Sequence, residues 1–136
     1  MSQRYAATDK FTTLEGKDLA DSMAAVAGAA VVATVNEDGT PNAAVFVPMM
    51  ADDDHVVMTL APNRTRENIE RTGGCVLVYE EVDAQAASKA ERYRGARLRL
   101  EFLREGDPRR DEALSAWPRV TPYTMAFLVV ERMPIG

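Results

Sequence analysis

From Ala96 to Phe102 the chain alternates without a break: Ala96, Leu98, Leu100 and Phe102 against Arg97, Arg99 and Glu101. A period of two belongs to a strand with one face on a core and the other toward water. The alternation commits this chain to a half-covered β-sheet, and its remaining apolar segments must supply the neighbouring strands.

Five further segments read as strands. AAVVATV is continuous and β-branched, and it leads through NEDGTPN to AAVFVPMM. Asp38-Gly39 between them is a hairpin turn signal. An acidic loop, Asp52 to Asp54, precedes HVVMTLA, and these three runs predict an antiparallel meander. CVLVYEEV and YTMAFLVVERM follow later, with Gly95 a candidate bulge in the alternating strand.

Helices fill the gaps. Leu19, Met23 and Val26 recur at one-face spacing, with Gly28 as the stop. A second helix runs from Arg64 to Thr72 and ends at Gly73-Gly74. AQAASKAE reads as a loop or a single turn. Asp107 caps a last helix with Pro108 at its first position, and Pro118 lies beyond its end. Six strands with short helices at the corners predict a mainly β fold, a closed or nearly closed six-stranded antiparallel barrel. The 136 residues suit one domain over 1–136, with 1–12 as a flexible N-terminal arm.

Composition narrows the partners. The net charge of −5 offers no broad positive field for nucleic acid. The polar start MSQRYAATDKF and the absence of a long apolar run predict a soluble, cytoplasmic protein with no membrane partner. The single cysteine, Cys75, rules out an intrachain disulfide.

Side-chain chemistry is sparse. There is no glycine-rich phosphate loop, no CxxC and no HExxH. The only histidine, His55, follows three aspartates at a strand start and reads as a solvated turn residue; consecutive residues do not converge on one metal ion. Cys75 lies in an apolar strand with no histidine near it in sequence, and reads as a buried small side chain. Redox chemistry, if present, must come from a bound cofactor.

LAPNRTRENIERTGG offers a place to hold one. The first N–H groups of a helix lack internal partners and carry partial positive charge. A phosphate there would meet these donors, the Thr65 hydroxyl and a guanidinium. The plainer alternative is an Asn63 or Thr65 cap, with Arg64 and Arg66 paired to Glu67 and Glu70.

Read in order, VVATVNEDGTPNAAVFVP, HVVMTLAPNRTRENIERTGGCVLVYEE and YRGARLRLEF resemble the flavin-binding split-barrel superfamily, which includes pyridoxamine 5′-phosphate oxidase and small bacterial FMN-binding proteins. The resemblance spans roughly residues 15 to 133. It implies a six-stranded split β-barrel, a homodimer, and FMN in clefts at the subunit interface. Arg64 and Thr65 match the basic residue and threonine that hold the FMN phosphate, with Asn68 one turn on. Val45, Phe46, Val47 and Pro48 match the strand beside the flavin ring. Thr59, Leu60 and Ala61 would border the ribityl chain or ring, and Pro122 and Tyr123 would reach the partner subunit's flavin. Trp117, before Pro118, reads as a helix-end packing residue.

The implied activity is that of a small dimeric FMN-dependent oxidoreductase acting on a small-molecule redox substrate, with hydride transfer at flavin N5. A non-catalytic electron carrier or flavin store, and a deazaflavin-binding reductase, are the alternatives. The ending VVERMPIG lacks the basic run those oxidases use for the substrate phosphate, so pyridoxamine-phosphate oxidation itself is not expected.

Overall fold

The computed structural model describes residues 11–26 and 30–136. Gly28, the expected stop of the first helix, and most of the 1–12 arm lie outside the described residues. The elements run α1 (Gly16–Ala25), β1 (Ala30–Val35), β2 (Pro41–Phe46), β3 (Met49–Met50), β4 (His55–Thr59) and α2 (Arg64–Thr72). Then come β5 (Gly74–Val82), α3 (Lys89–Arg92), β6 (Tyr93–Leu103), α4 (Pro108–Leu114) and β7 (Thr124–Met133).

All seven strands form one antiparallel sheet in the order β2-β1-β5-β6-β7-β4-β3. The expected six-strand count and three-strand meander are corrected here. The single second strand expected over 43–50 is two, β2 and β3, at opposite ends of the sheet. β2 pairs with β1, whereas β4 pairs with β7 and β3. Only Val47 and Pro48 separate β2 from β3. Three Cα steps of 3.8 Å reach at most about 11 Å. The two terminal strands are therefore neighbours in space, and the sheet is curled upon itself.

The alternation that commits β6 to a sheet works as expected on its inner face. Ala96, Leu98 and Leu100 are buried, while Arg99 is exposed. They share one core with Val32, Leu77, Met58 and Phe127, closed off by Leu19 and Met23 of α1 and Ile69 of α2. On the other face of β4 and β7, Val57 and Ala126 pack against Leu114 of α4, with Trp117 beside them. β4 is thus covered on both sides.

Gly95 is not the bulge. It pairs in register with Glu80, and the register shift falls between Arg99 and Leu100 of β6. A Cβ at Gly95 would lie 2.2 Å from the Tyr79 carbonyl oxygen and 2.7 Å from Ile135 Cγ2. The position needs glycine because backbone and side chain crowd it, not because the ladder breaks there.

Candidate functional site

α2 starts and stops where its residues dictate. Asn63, with extended backbone, accepts the Arg66 N–H on its side-chain oxygen at 2.9 Å, and its carbonyl takes the Glu67 N–H. At the other end Gly73 adopts φ 85°, closing the helix with its N–H on the Ile69 carbonyl. The cap thereby serves the third and fourth N–H groups of the first turn. Those of Arg64 and Thr65 have no partner among the described residues, and they stand at the positive end of the helix dipole.

The two arginines of this turn have different fates. Arg66 donates from Nη1 to the Leu60 carbonyl at 2.6 Å, from Nη2 to the Pro122 carbonyl at 3.4 Å, and pairs through Nε with Glu70 at 3.0 Å. The Leu60 N–H donates in turn to the Tyr123 carbonyl at 3.0 Å. The end of β4, the start of α2 and the segment before β7 are one braced unit within this chain. Arg64 is exposed and makes no hydrogen bond or ion pair among the described residues. A nearby charge is Asp38, in the β1–β2 turn. Its carboxyl is held below the usual range chiefly by the Thr40 hydroxyl and amide, and the Arg64 charge adds to the effect.

Thr65 and Asn68 face the other way, into the sheet, and each is only 3% exposed. Asn42 Nδ2 donates to the Thr65 and Thr34 hydroxyls at 3.2 and 3.3 Å. Asn68 Nδ2 donates to Thr34 Oγ1 at 3.0 Å and Asn36 Oδ1 at 2.9 Å, while its own oxygen accepts from Arg71 Nη1 at 3.0 Å. Both amide hydrogens of Asn68 and its oxygen are engaged. The three-residue step from Thr65 keeps Asn68 on the sheet side of α2, where its bonds support the helix start. Thr65 keeps its backbone N–H for an anion.

A cleft of about 400 Å³ opens between β2 and β4. Val45, Phe46, Val47, Met49, Val57, Met58, Thr59 and Trp117 line it. Val45 and Val47 are 61% and 59% exposed, and Phe46 and Pro48 turn inward between and beyond them. Among the described residues no strand is hydrogen-bonded to the outer side of β2, so alternate backbone N–H and C=O groups along that edge are free to bond a ligand. The cleft therefore combines apolar walls with a polar backbone edge.

Of the residues singled out in the sequence, Val45, Phe46, Val47 and Thr59 meet in this cleft. Leu60, Pro122 and Tyr123 meet at the α2 start through backbone bonds, with Ala61 and Arg64 beside them in the chain. The Leu60 side chain is in the core at 1% exposure, and both its backbone groups are already bonded. Trp117 is the residue that sequence reasoning assigned elsewhere. It does pack on Leu114 as a helix-end residue, but it also walls the cleft.

A groove of about 610 Å³ on the outer face of β1, β5 and β6 borders the far end of α2, where the dipole has the wrong sign for an anion. Burial pushes the Cys75 thiol up to about 12. His55 begins β4 and bonds Asp52 at 2.8 Å. Among the described residues no cluster of His, Cys, Asp or Glu is arranged to hold a metal ion, and no helix is long and apolar enough to cross a membrane.

No protein-family model matches the sequence, and no curated protein matches it. Solved structures do match in fold. An FMN-binding protein from Syntrophomonas wolfei subsp. wolfei aligns with a TM-score of 0.60 at 20% identity, over 87% of this chain and 84% of that one. A candidate pyridoxamine 5′-phosphate oxidase from Lactobacillus delbrueckii gives 0.55 at 17%, over 88% and 98%. An FAD-binding protein from Mesorhizobium loti gives 0.51 at 16%, over 92% of each chain. At such identities the likeness is one of architecture, and it agrees with the resemblance carried by the sequence motifs. The chain has the fold shared by FMN-binding, FAD-binding and pyridoxamine 5′-phosphate oxidase-like proteins.

Proposed function

We propose that this protein binds FMN, with the phosphate at the α2 start and the ring system in the β2–β4 cleft, and works as a small flavin-dependent oxidoreductase. One observation carries the reading. An arginine with no partner among the described residues and two free N–H groups stand at a helix N-terminus, and Thr59 and Ala61 link that point to an apolar cleft with a free backbone edge. The arrangement suits a ligand with an anionic end and a flat, largely apolar end.

Each residue then has a stated task. Arg64 and the N–H groups of Arg64 and Thr65 would hold the phosphate oxygens. Arg66 and Asn68 keep that turn in place. The outer edge of β2 would bond the polar rim of the ring, and Val45 and Val47 would exclude water from its face. When bound, FMN supplies the hydride chemistry, and the chain supplies position and electrostatics.

Assembly as a homodimer is part of this proposal. Across β2, β1 and β5 the sheet register aligns Ala43 with Ala33 and Val76, and Val45 with Val31 and Val78. Such an apolar outer sheet face is suited to burial against a second copy. FMN occupancy is then expected to follow the dimer, and a dilute monomer that kept full FMN affinity would count against a shared site.

The test of the proposed function is the absorption spectrum of the purified protein, before and after incubation with FMN, FAD and a deazaflavin. Bound FMN that a small acceptor reoxidises with saturable kinetics supports an oxidoreductase. Tight FMN binding without saturable turnover supports a carrier. Failure to bind any flavin would remove the reading.

A further inference from the structure

The cleft between β2 and β4 is not made by those strands alone. Its remaining wall is Trp117, which lies beyond the end of α4, far from either strand in sequence. Two contacts fix it there. Its backbone N–H donates to the Leu114 carbonyl at 3.0 Å, and its side chain packs with Val57, Leu114 and Ala126 on the outer face of β4 and β7. Trp117 is nonetheless only partly buried, and it lines the cleft. A large aromatic side chain packed on the core and also lining a cleft favours an apolar or aromatic body against it.

The lining separates the cleft into two chemistries. Met49, Val57 and Trp117 are apolar and cluster on the β3–β4 side, and no charged side chain lines the cleft. Apart from the Thr59 hydroxyl at the end of β4, toward the α2 start, the polar donors and acceptors are those of the free β2 edge. A flat ring with one polar and one apolar end has one orientation that satisfies both walls.

We infer that Trp117 is a ring-contact residue that sets the flavin's orientation, lying against the methylated benzenoid end and leaving the pyrimidine end to the β2 edge. The inference rests on the FMN reading above and adds a side chain and a specificity to it. Trp117 makes the seat selective for a flavin with methyl groups at that end over one with a polar substituent there.

The experiment uses the full chain and titrates FMN, riboflavin and an FMN analogue bearing a hydroxyl in place of a benzenoid methyl. Trp117→Ala is expected to weaken FMN and riboflavin alike, roughly five- to tenfold, the scale of a lost aromatic contact. It should also shift the visible band and visible circular dichroism of bound flavin, and Trp117→Phe should restore most of both. Trp117→Phe keeps the aromatic packing on Leu114; where the alanine variant does not fold, Trp117→Leu, which fills the same apolar place without a ring, should show the same loss. The chain has one tryptophan, so emission reports this position alone, and FMN should quench it by contact, with a static component.

If the unaltered protein binds FMN but the alanine and leucine variants keep its affinity within twofold and its spectrum unchanged, the role of Trp117 is overturned while FMN binding stands. Equal affinity for methylated and hydroxylated flavins would overturn the orientation. Absence of flavin binding by the unaltered protein would instead remove the reading beneath, and this inference with it.

Discussion

Arg66 donates to the Leu60 carbonyl at 2.6 Å, and that bond separates the roles of two arginines that look equivalent in sequence. A guanidinium committed to Leu60, Pro122 and Glu70 braces three segments and has little left for a ligand. Its neighbour Arg64, two residues earlier, stays uncommitted.

The separation is measurable without any ligand. Arg66→Ala strips a hydrogen bond from the partly buried Leu60 carbonyl, with a weaker one from the exposed Pro122 carbonyl, and is expected to lower unfolding stability by about 1–3 kcal/mol in urea titrations. Arg64→Ala, at an exposed position with no hydrogen bond or ion pair among the described residues, should stay within about 0.5 kcal/mol of the parent. A larger loss for Arg64→Ala than for Arg66→Ala would reverse the assignment.

Asn68 gives a second contrast. Its amide spans Thr34, Asn36 and Arg71, so Asn68→Ala removes three hydrogen bonds, one of them buried, and should cost about 1–3 kcal/mol. Because it supports the helix start without touching the phosphate, flavin affinity should fall by the same factor for FMN and riboflavin. Selective loss of FMN would show that Asn68 acts on the phosphate directly.

α2 was legible in the sequence because its signals are local. Asn63 and Gly73 mark its ends, and the bounds Arg64–Thr72 follow from them. Strand positions were legible for the same reason, since a period of two survives without knowledge of the partner. Pairing was not. Nothing local tells β4 to choose β7 over β2, and the apolar run from Ala43 to Met50 hides the crossing between the two sheet edges. Pro48 is the one residue that marks it, because a proline lacks the N–H a continuous ladder would need. Trp117 escaped for a related reason: its cleft is assembled from three separated segments, and packing on Leu114 accounts for its local pattern equally well.

Cys75 should be chemically silent in the folded protein. Burial pushes its thiol up to about 12, so thiolate is scarce at neutral pH. Iodoacetamide at pH 8 should label it slowly in native buffer and rapidly in denaturant; equal rates would contradict the burial. The same shift has a stability consequence. From the ordinary thiol value of 9.0 up to about 12 the unfolded thiol loses its proton while the folded one keeps it. This group's contribution to stability is therefore full below pH 9 and falls across that window.

The central claim is that the α2 start holds the phosphate of FMN, and a pair of titrations tests it. FMN and riboflavin share a ring system and differ in the phosphate. The unaltered protein is expected to bind FMN far more tightly, and Arg64→Ala should weaken FMN roughly 10- to 100-fold, the scale of a charge-assisted bond, while leaving riboflavin nearly unchanged. Equal weakening of both ligands, or no preference for FMN in the unaltered protein, would contradict the account.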